Sequence, residues 1–78
     1  MTSDDDLLRV FGDRLRAARK AAGLSQEALA HQAGLHRTYV SSVERGERNI
    51  ALLNILTLAT ILDIDAGTLL AGLIRHPE

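Results

Sequence analysis

The sequence contains no cysteine and no tryptophan, and its aromatic residues are limited to Phe11 and Tyr39. Without cysteine, neither a disulfide framework nor a thiolate metal site can form. Two aromatic residues cannot build the platform on which proteins stack single-stranded bases. No apolar run reaches the roughly 18 residues of a membrane span, and the acidic start of the chain does not resemble a secretory signal. These absences predict a soluble, cytoplasmic module without a membrane anchor.

The length of 78 residues is enough for one domain with a small core. Most enzyme scaffolds are longer, and the sequence shows no nucleophile–base pair and no phosphate-binding loop. A chain of this size also offers little volume for a substrate pocket. The histidines His31, His36 and His76 do not have the spacing of metal ligands. We therefore expect no enzymatic activity, no metal, no cofactor and no small-molecule ligand.

Charge is distributed unevenly along a chain whose net charge is −1. Residues 1–6 carry −3, residues 7–48 carry +4 and residues 49–78 carry −2. A basic excess within one stretch favours a polyanionic partner, although an ordinary mixed surface is an equal alternative. We divide the chain into an acidic N-terminal extension, residues 1–6, and a single domain, residues 7–75.

Apolar residues recur at steps of three and four through most of the chain, and no segment alternates as a strand does. This periodicity predicts an all-α protein. Ser25 and Asp65 are suited to cap the second and fifth helices, while Gly23 and Gly34 are suited to end the first and second. The five predicted helices cover about Leu7–Ala22, Gln26–Ala33, Arg37–Arg45, Ala51–Leu62 and Ala66–Arg75.

Residues 26–45 match the register of a helix-turn-helix, in which two short helices cross at a tight turn. Ala30 is the small residue required at the crossing, and Gly34 is the turn residue that tolerates a positive φ. Because seven positions match in fixed register, the pattern is specific, and a two-helix corner of another bundle is the alternative. The apolar positions that bury the angle between the helices are Leu29, Ala33, Leu35, Val40 and Val43.

The outward side of the third predicted helix is polar. Arg37 and Thr38 lie in its first turn, the part of a recognition helix that enters the major groove. Arginine can donate two hydrogen bonds to guanine, and threonine can contact the thymine methyl group or a base edge. Ser41 and Ser42 are short enough to allow close approach, with a solvated surface as the alternative for each. His36 precedes this helix and suits a capping or phosphate contact.

The fourth predicted helix is apolar nearly all round its circumference. In so small a chain, one core cannot cover every side of such a helix. The surplus predicts a protein interface, with a second copy related by a two-fold axis as the simplest partner. The alternative is a central helix buried beneath the first and fifth helices. The predicted interface residues are Leu52, Leu53, Ile55, Leu56, Leu69 and Leu73.

The stretch LSQEALAHQAGLHRTYVSSVERGERNI, residues 24–50, resembles the Xre/Cro-type helix-turn-helix regulators, which include phage repressors. Its GLHRTYV and ERGERN blocks, followed by the apolar segment Ile50–Ile64, resemble the controller proteins of restriction–modification systems. This resemblance implies a compact five-helix bundle of the lambda-repressor type with C-terminal dimerisation helices. It also implies a homodimer that binds a near-palindromic double-stranded DNA operator and regulates transcription, with RNA polymerase as a further candidate partner. Such a regulator would lie on the nucleoid of a prokaryotic cell.

The resemblance also implies roles for single residues. Arg37 and Thr38 are expected to read bases, with Ser42 as a third reader. Arg19 and Glu44 match a structural ion pair between the first and third helices. Ala51 departs from the family pattern, which often has a capping serine or threonine there. Together with His36 and Ser41, the residues expected to contact the DNA backbone are Gln26, Tyr39, Arg45, Arg48 and Asn49, of which Asn49 could instead cap the fourth helix.

The excess of leucine in the fourth and fifth predicted helices leaves a second function open. An antitoxin-like protein-interaction module with a DNA-binding fold would use these leucines to bind a different protein. Stoichiometric co-purification of such a partner, in place of self-association, would favour this alternative.

Overall fold

A computed structural model describes residues 3–77 of the chain, which form five α-helices joined by short turns. No strand is present among these residues, so the predicted all-α architecture is confirmed. No described helix combines the length and the apolar character needed to span a membrane. The helices are α1 (Asp4–Ala21), α2 (Gln26–Ala33), α3 (Arg37–Glu44), α4 (Leu52–Ile61) and α5 (Ala66–Leu70).

The core lies where the helices meet. α1 packs against α3 and α5, α2 against α3 and α4, and α4 against α5. Helices as short as α2, α3 and α5 are marginal in isolation, so their stability comes mainly from the apolar side that each one buries. The buried apolar residues are Phe11, Leu15, Leu29, Ala30, Val40, Val43, Ile55, Leu58, Ala59, Leu62 and Leu69.

The start of α1 differs from the prediction. The helix begins at Asp4 rather than Leu7, because a reciprocal capping box forms at its first turn. The Ser3 hydroxyl accepts a hydrogen bond from the Asp6 backbone nitrogen at 3.1 Å, and the Asp6 carboxylate accepts one from the Ser3 nitrogen at 3.4 Å. Residues 4–6 therefore belong to the domain, which corrects the proposed acidic extension. Met1 and Thr2 lie outside the described residues.

The predicted caps around α2 and α5 are present. Ser25 accepts a hydrogen bond from the Ala28 nitrogen at 3.0 Å, and Asp65 accepts one from the Gly67 nitrogen at 2.7 Å. Gly34 has a φ of 67°, which other residues adopt only under strain. Glycine at this position therefore fixes the tight turn between α2 and α3.

α1 and α3 cross so closely that only glycine fits at position 12. A Cβ atom there would lie 2.5 Å from the carbonyl oxygen of Val43 and closer still to that of Glu44. Both contacts involve backbone atoms, which cannot rotate away as the end of a side chain can. The position of α3 on α1 therefore depends on the missing side chain of Gly12.

Two predicted details of the C-terminal half are wrong. The N-cap of α4 is Ala51 and no side chain caps this helix, so Asn49 does not take over that role. α5 ends at Leu70 rather than at Arg75, because Ala71, with φ −55° and ψ 128°, leaves the helical region and Gly72 has a φ of 75°. At the C-terminal end of α5, the Arg14 guanidinium donates hydrogen bonds to two backbone carbonyl oxygens, at 3.3 Å to Leu69 and 2.6 Å to Ala71.

The predicted interface residues separate into buried and exposed groups. Ile55 and Leu69 are only 7% and 1% exposed, because they fill the core of their own protomer. They offer almost no surface to a second copy, which argues against their inclusion in the interface. Leu73 packs partly against the same core. The remaining residues are 63%, 74% and 43% exposed and form what we name the leucine face of α4: Leu52, Leu53 and Leu56.

Candidate nucleic-acid interface

The helix-turn-helix directs one side of α3 towards solvent. Val40 and Val43 are buried in the core, so the opposite side of the helix lies at the surface. The two residues of its first turn are exposed, and the two serines of the next turn are half-buried. We name this surface the α3 face, and its residues are Arg37, Thr38, Ser41 and Ser42.

The arginines near the α3 face differ in whether they already have a partner. Arg45 donates to both carboxylate oxygens of Glu47, at 3.1 Å each, and also to the hydroxyl of Ser41. Hydrogen bonding between the two raises the pKa of Arg45 and lowers the pKa of Glu47 relative to their ordinary values. Within residues 3–77, the guanidinium groups of Arg37 and Arg48 make no ion pair. Their charge therefore remains available to a ligand, whereas that of Arg45 is already balanced.

Tyr39 lies between the loop after α3 and the start of α4. The guanidinium carbon of Arg48 is 5.5 Å from the centroid of its ring, within the range of a cation–π contact. From α4, the amide nitrogen of Asn54 donates a hydrogen bond to the Tyr39 hydroxyl at 3.1 Å. The half-buried tyrosine thus places its phenolic hydroxyl close to the Arg48 guanidinium, which pairs with no carboxylate, in one small region beside the α3 face.

The hydroxyl groups of the α3 face are partly engaged within the protein. Ser42 donates to the carbonyl oxygen of Thr38 at 2.8 Å, so its hydroxyl is left mainly as an acceptor. The Thr38 hydroxyl lies 3.1 Å from Nδ1 of His36. His36 occupies the N-cap position of α3 but makes no side-chain hydrogen bond to the helix backbone. The capping alternative for His36 is therefore wrong, and its imidazole contacts a predicted base reader instead.

Arg19 and Glu44 form a buried ion pair between α1 and α3. The guanidinium donates to the two carboxylate oxygens at 2.7 and 3.1 Å and to the carbonyl oxygen of Leu24 at 2.8 Å. Hydrogen bonding to Glu44 raises the pKa of Arg19 above its ordinary value. Gln26, at the start of α2, donates its amide to the same carboxylate at 3.0 Å. The Glu44 carboxylate therefore joins α1, α2 and α3. It also holds the side chain of Gln26, which is predicted to contact the DNA backbone.

Two residues that shape this region are not among the predicted site residues. Glu47 balances the charge of Arg45, and Asn54 binds the hydroxyl of Tyr39. Asn54 carries a sequence signal, because it is a polar residue in the apolar first turns of α4, LLNIL. Glu47 carries none, because nothing in the ERGER block distinguishes a carboxylate that pairs from one that remains solvated.

The groups gathered here suit recognition of a polyanion. Among residues 3–77, no three histidine, aspartate or glutamate side chains come close enough to hold a metal ion. Guanidinium, amide and hydroxyl groups surround the α3 face, and such groups bind phosphate oxygens and base edges in protein–DNA complexes. The exposed residue Asn49 lies in the same loop as Arg48. The predicted DNA contacts therefore come from α2, α3 and the loop that follows α3.

Comparison with known proteins finds relatives over most of the chain. The family model described as helix-turn-helix matches residues 15–69, which include all of α2 and α3. The control protein C.SmaI from Serratia marcescens is 43% identical over 65 residues, which are 83% of this chain and 77% of that protein.

Solved structures resemble the fold closely. The crystal structure of the restriction–modification controller protein C.AhdI from Aeromonas hydrophila superposes with a TM-score of 0.77 and 60% identity, covering 80% of this chain and 94% of that chain. The master regulator for biofilm formation SinR, crystallised in complex with DNA, superposes with a TM-score of 0.74 and 34% identity. That superposition covers 77% of this chain and 97% of the SinR chain.

Proposed function

The chain belongs to the helix-turn-helix family of DNA-binding transcriptional regulators, and on that premise we propose that it acts as a homodimer on a near-palindromic duplex operator. Each protomer would place α3 in the major groove of one half-site, and the half-sites would lie about 34 Å apart. The relatives compared above are regulatory proteins and not enzymes, which supports a purely binding function without a catalytic step.

The observation that carries this proposal is the pair of uncommitted arginines at the α3 face. Arg37 lies in the first turn of α3 and Arg48 lies in the following loop. Neither must give up an intramolecular carboxylate before it binds a guanine or a phosphate, unlike Arg45. Further support comes from SinR, which was crystallised with DNA.

The contacts within the protein refine the proposed roles. Arg37 and Thr38 read bases, and Ser42 contributes as an acceptor because its hydrogen is used within α3. Arg48 and Tyr39 hold phosphates, and Arg45 contributes less because Glu47 balances its charge. The other proposed contacts to the DNA backbone come from Gln26, His36, Ser41 and Asn49.

The leucine face supports the homodimer. Large contiguous apolar patches are uncommon on monomeric soluble proteins and mark interaction sites. Leu53 and Leu56 lie one turn apart on α4, so they share one side of that helix. A two-fold axis through this side would bury the same residues of both protomers, and each leucine that becomes fully buried contributes about 1.5–3 kcal/mol. Such a dimer would present two α3 faces to successive turns of one duplex.

Selection of bound duplexes from a randomised pool tests the proposed function. Purified protein at near-physiological salt should enrich a two-fold symmetric site. The matched control is the Arg37→Ala/Arg48→Ala variant, which replaces two exposed side chains and should enrich the site far less, with a relaxed preference at one base pair. Failure of the unaltered protein to enrich any sequence, with only weak salt-sensitive binding, would contradict the proposal.

The leucine face also favours a second candidate function, an antitoxin-like module that binds a different protein. In that case the protein purified alone would sediment as a monomer. Purified from its native cell, it would bring down one partner protein in stoichiometric amount. A concentration-dependent dimer that binds its operator without any partner would exclude this alternative.

The relatives suggest the biological setting. C.AhdI is a restriction–modification controller, and we extend that role to this chain as part of the proposal. The protein would then reside on the nucleoid, regulate the promoter next to its operator and contact RNA polymerase where it activates. A reporter placed behind the selected operator, with and without the protein, should show a change in transcription.

A further inference from the structure

The contact between Asn54 and Tyr39 joins the proposed DNA-binding surface to the helix that carries the leucine face. Among residues 3–77, it is the side-chain hydrogen bond that links α3 to α4. Both side chains are half-buried, which favours a defined geometry over free rotation in water. Asn54 lies directly between the exposed Leu53 and the buried Ile55, so the path of α4 determines where its amide points.

The chemistry of this bond determines what the tyrosine can do next. The amide nitrogen of Asn54 is a donor only, because its lone pair is delocalised into the carbonyl group, so the phenolic oxygen of Tyr39 accepts this hydrogen bond. The phenolic hydrogen is then directed away from Asn54, and no acceptor within residues 3–77 receives it. The Arg48 guanidinium, 5.5 Å from the ring, supplies positive charge nearby.

We propose that Asn54 is a positioning residue that keeps the hydroxyl of Tyr39 available as a donor to a DNA phosphate. The inference rests on the proposed function, because it requires the α3 face to meet duplex DNA. Asn54 itself does not touch the DNA. Because the phenolic oxygen of Tyr39 accepts the hydrogen bond from Asn54, the phenolic hydrogen is free to donate to a phosphate. The positive charge of Arg48 attracts the same phosphate.

Asn54→Asp tests the direction of the bond with almost no change in shape. The introduced carboxylate can only accept, so the phenolic hydrogen turns towards it and is lost to the phosphate. Affinity for the selected operator should fall about tenfold, the order of magnitude expected for a lost hydrogen bond to a charged group. Asn54→Leu is the matched neutral variant, and it should cost only about threefold because the phenol stays free to donate.

A double-mutant cycle separates this mechanism from simple charge repulsion. In a Tyr39→Phe background, Asn54→Asp should have little further effect, because no phenolic hydrogen remains to be captured. A tenfold loss that persists in that background would instead show repulsion between the introduced carboxylate and DNA, and would overturn the inference. Equal affinity of Asn54→Asp and the unaltered protein would also overturn it. If Asn54→Asp does not fold, the same cycle with Asn54→Leu should show a threefold loss that disappears with Tyr39→Phe.

Spectroscopy reports the captured hydrogen without DNA. Tyr39 is the single tyrosine and tryptophan is absent, so intrinsic fluorescence comes from this phenol alone. Asn54→Asp should quench it through the new carboxylate contact, while helix content and dimerisation stay unchanged. Unchanged fluorescence would overturn the inference. If Arg37→Ala weakens operator binding while Tyr39→Phe does not, the DNA-binding function stands and only the role of Asn54 fails.

Discussion

The two halves of the molecule expose opposite kinds of surface on one small core. The helix-turn-helix half presents the α3 face, where Arg37 and Arg48 keep their charge free, and residues 7–48 carry a net +4. The C-terminal half presents the leucine face of α4, and residues 49–78 carry a net −2. Each half therefore suits a different partner, a polyanion for the first half and an apolar protein surface for the second.

The two halves also differ in how they are held together. Around α3, a buried ion pair and a close backbone crossing at Gly12 fix the geometry. Around α5, apolar packing is completed by the guanidinium of Arg14, which closes the end of the helix. Substitutions in the first half should therefore act on the fold more strongly than substitutions on the leucine face.

Breaking the ion pair of the first half should lower the stability of the protein more than any other substitution proposed below. Arg19→Met leaves the Glu44 carboxylate buried without its partner, and such a loss costs about 3–5 kcal/mol. Urea denaturation at fixed protein concentration should show this loss, while any protein that remains folded keeps its base preference. Arg16→Met, at an exposed position of the same helix, is the control. An equally small effect of both substitutions would contradict a structural role for the pair.

The next effect comes from filling the crossing of α1 and α3. Gly12→Ala forces a methyl group against two backbone carbonyl oxygens, so the helices must separate. Overpacking of this kind costs about 1–3 kcal/mol, and DNA binding should weaken because the α3 face moves. Ala17→Val adds methyl groups at an exposed site of α1 and should change stability much less. Thermal unfolding of the two variants makes the comparison.

A double substitution on the leucine face acts on the C-terminal half alone. Leu53→Glu combined with Leu56→Glu places four negative charges across the proposed two-fold axis without touching the core. The dimer dissociation constant should rise at least about tenfold, since apolar burial is replaced by repulsion. Sedimentation measures the change, and helix content should stay constant. Val10→Glu makes the same kind of change on an exposed part of α1 and serves as the control. Unaltered dimerisation would place the interface elsewhere.

The weakest of the four effects is a gain in DNA affinity, and it concerns Arg45 beside the α3 face. Glu47→Gln removes the carboxylate that balances Arg45, so the freed guanidinium should strengthen binding to all duplexes about twofold to fivefold. Arg45 lowers the pKa of Glu47, so the carboxylate stays charged unless the pH falls below its ordinary value of 4.5. The gain should therefore be present throughout the neutral range and should shrink at high salt. Titration of a labelled duplex by fluorescence anisotropy measures it, with Asp13→Asn on α1 as the control. A gain no larger than that of Asp13→Asn would show that Glu47 does not limit Arg45.

Much of the first half could be predicted because its signals are local. The register around Ala30 and Gly34, with Ser25 as a cap, specifies the turn within a few residues. The start of α1 differs from the prediction because an acidic run such as residues 4–6 is also typical of a solvated extension, although Ser3 and Asp6 have capping-box spacing. The end of α5 was missed because Leu73 and Ile74 continue the helical period. Only the folded chain brings Arg14 to that end.

For the candidate binding surface, the sequence predicts a set of residues but not the contacts that they make within the protein. Family resemblance identified Arg45 and Arg48 as equivalent, because sequence does not show which arginine meets a carboxylate. Burial of Ile55 and Leu69 depends on where α5 packs against α4, which periodicity alone does not specify. The bond between Asn54 and Tyr39 likewise exists only once α4 is placed beside α3.

Base reading by the α3 face is best tested by comparing Arg37→Ala with Arg48→Ala on the selected operator and on random duplex over a range of salt concentrations. Arg37→Ala should cost about 1–3 kcal/mol on the operator and relax the preference at one base pair, with little effect on random DNA. Arg48→Ala should weaken both duplexes alike and reduce the salt slope by about 1. If the two variants lose affinity equally for both duplexes, the α3 face does not read the DNA sequence, and the proposed division between base-reading and phosphate-binding arginines is wrong.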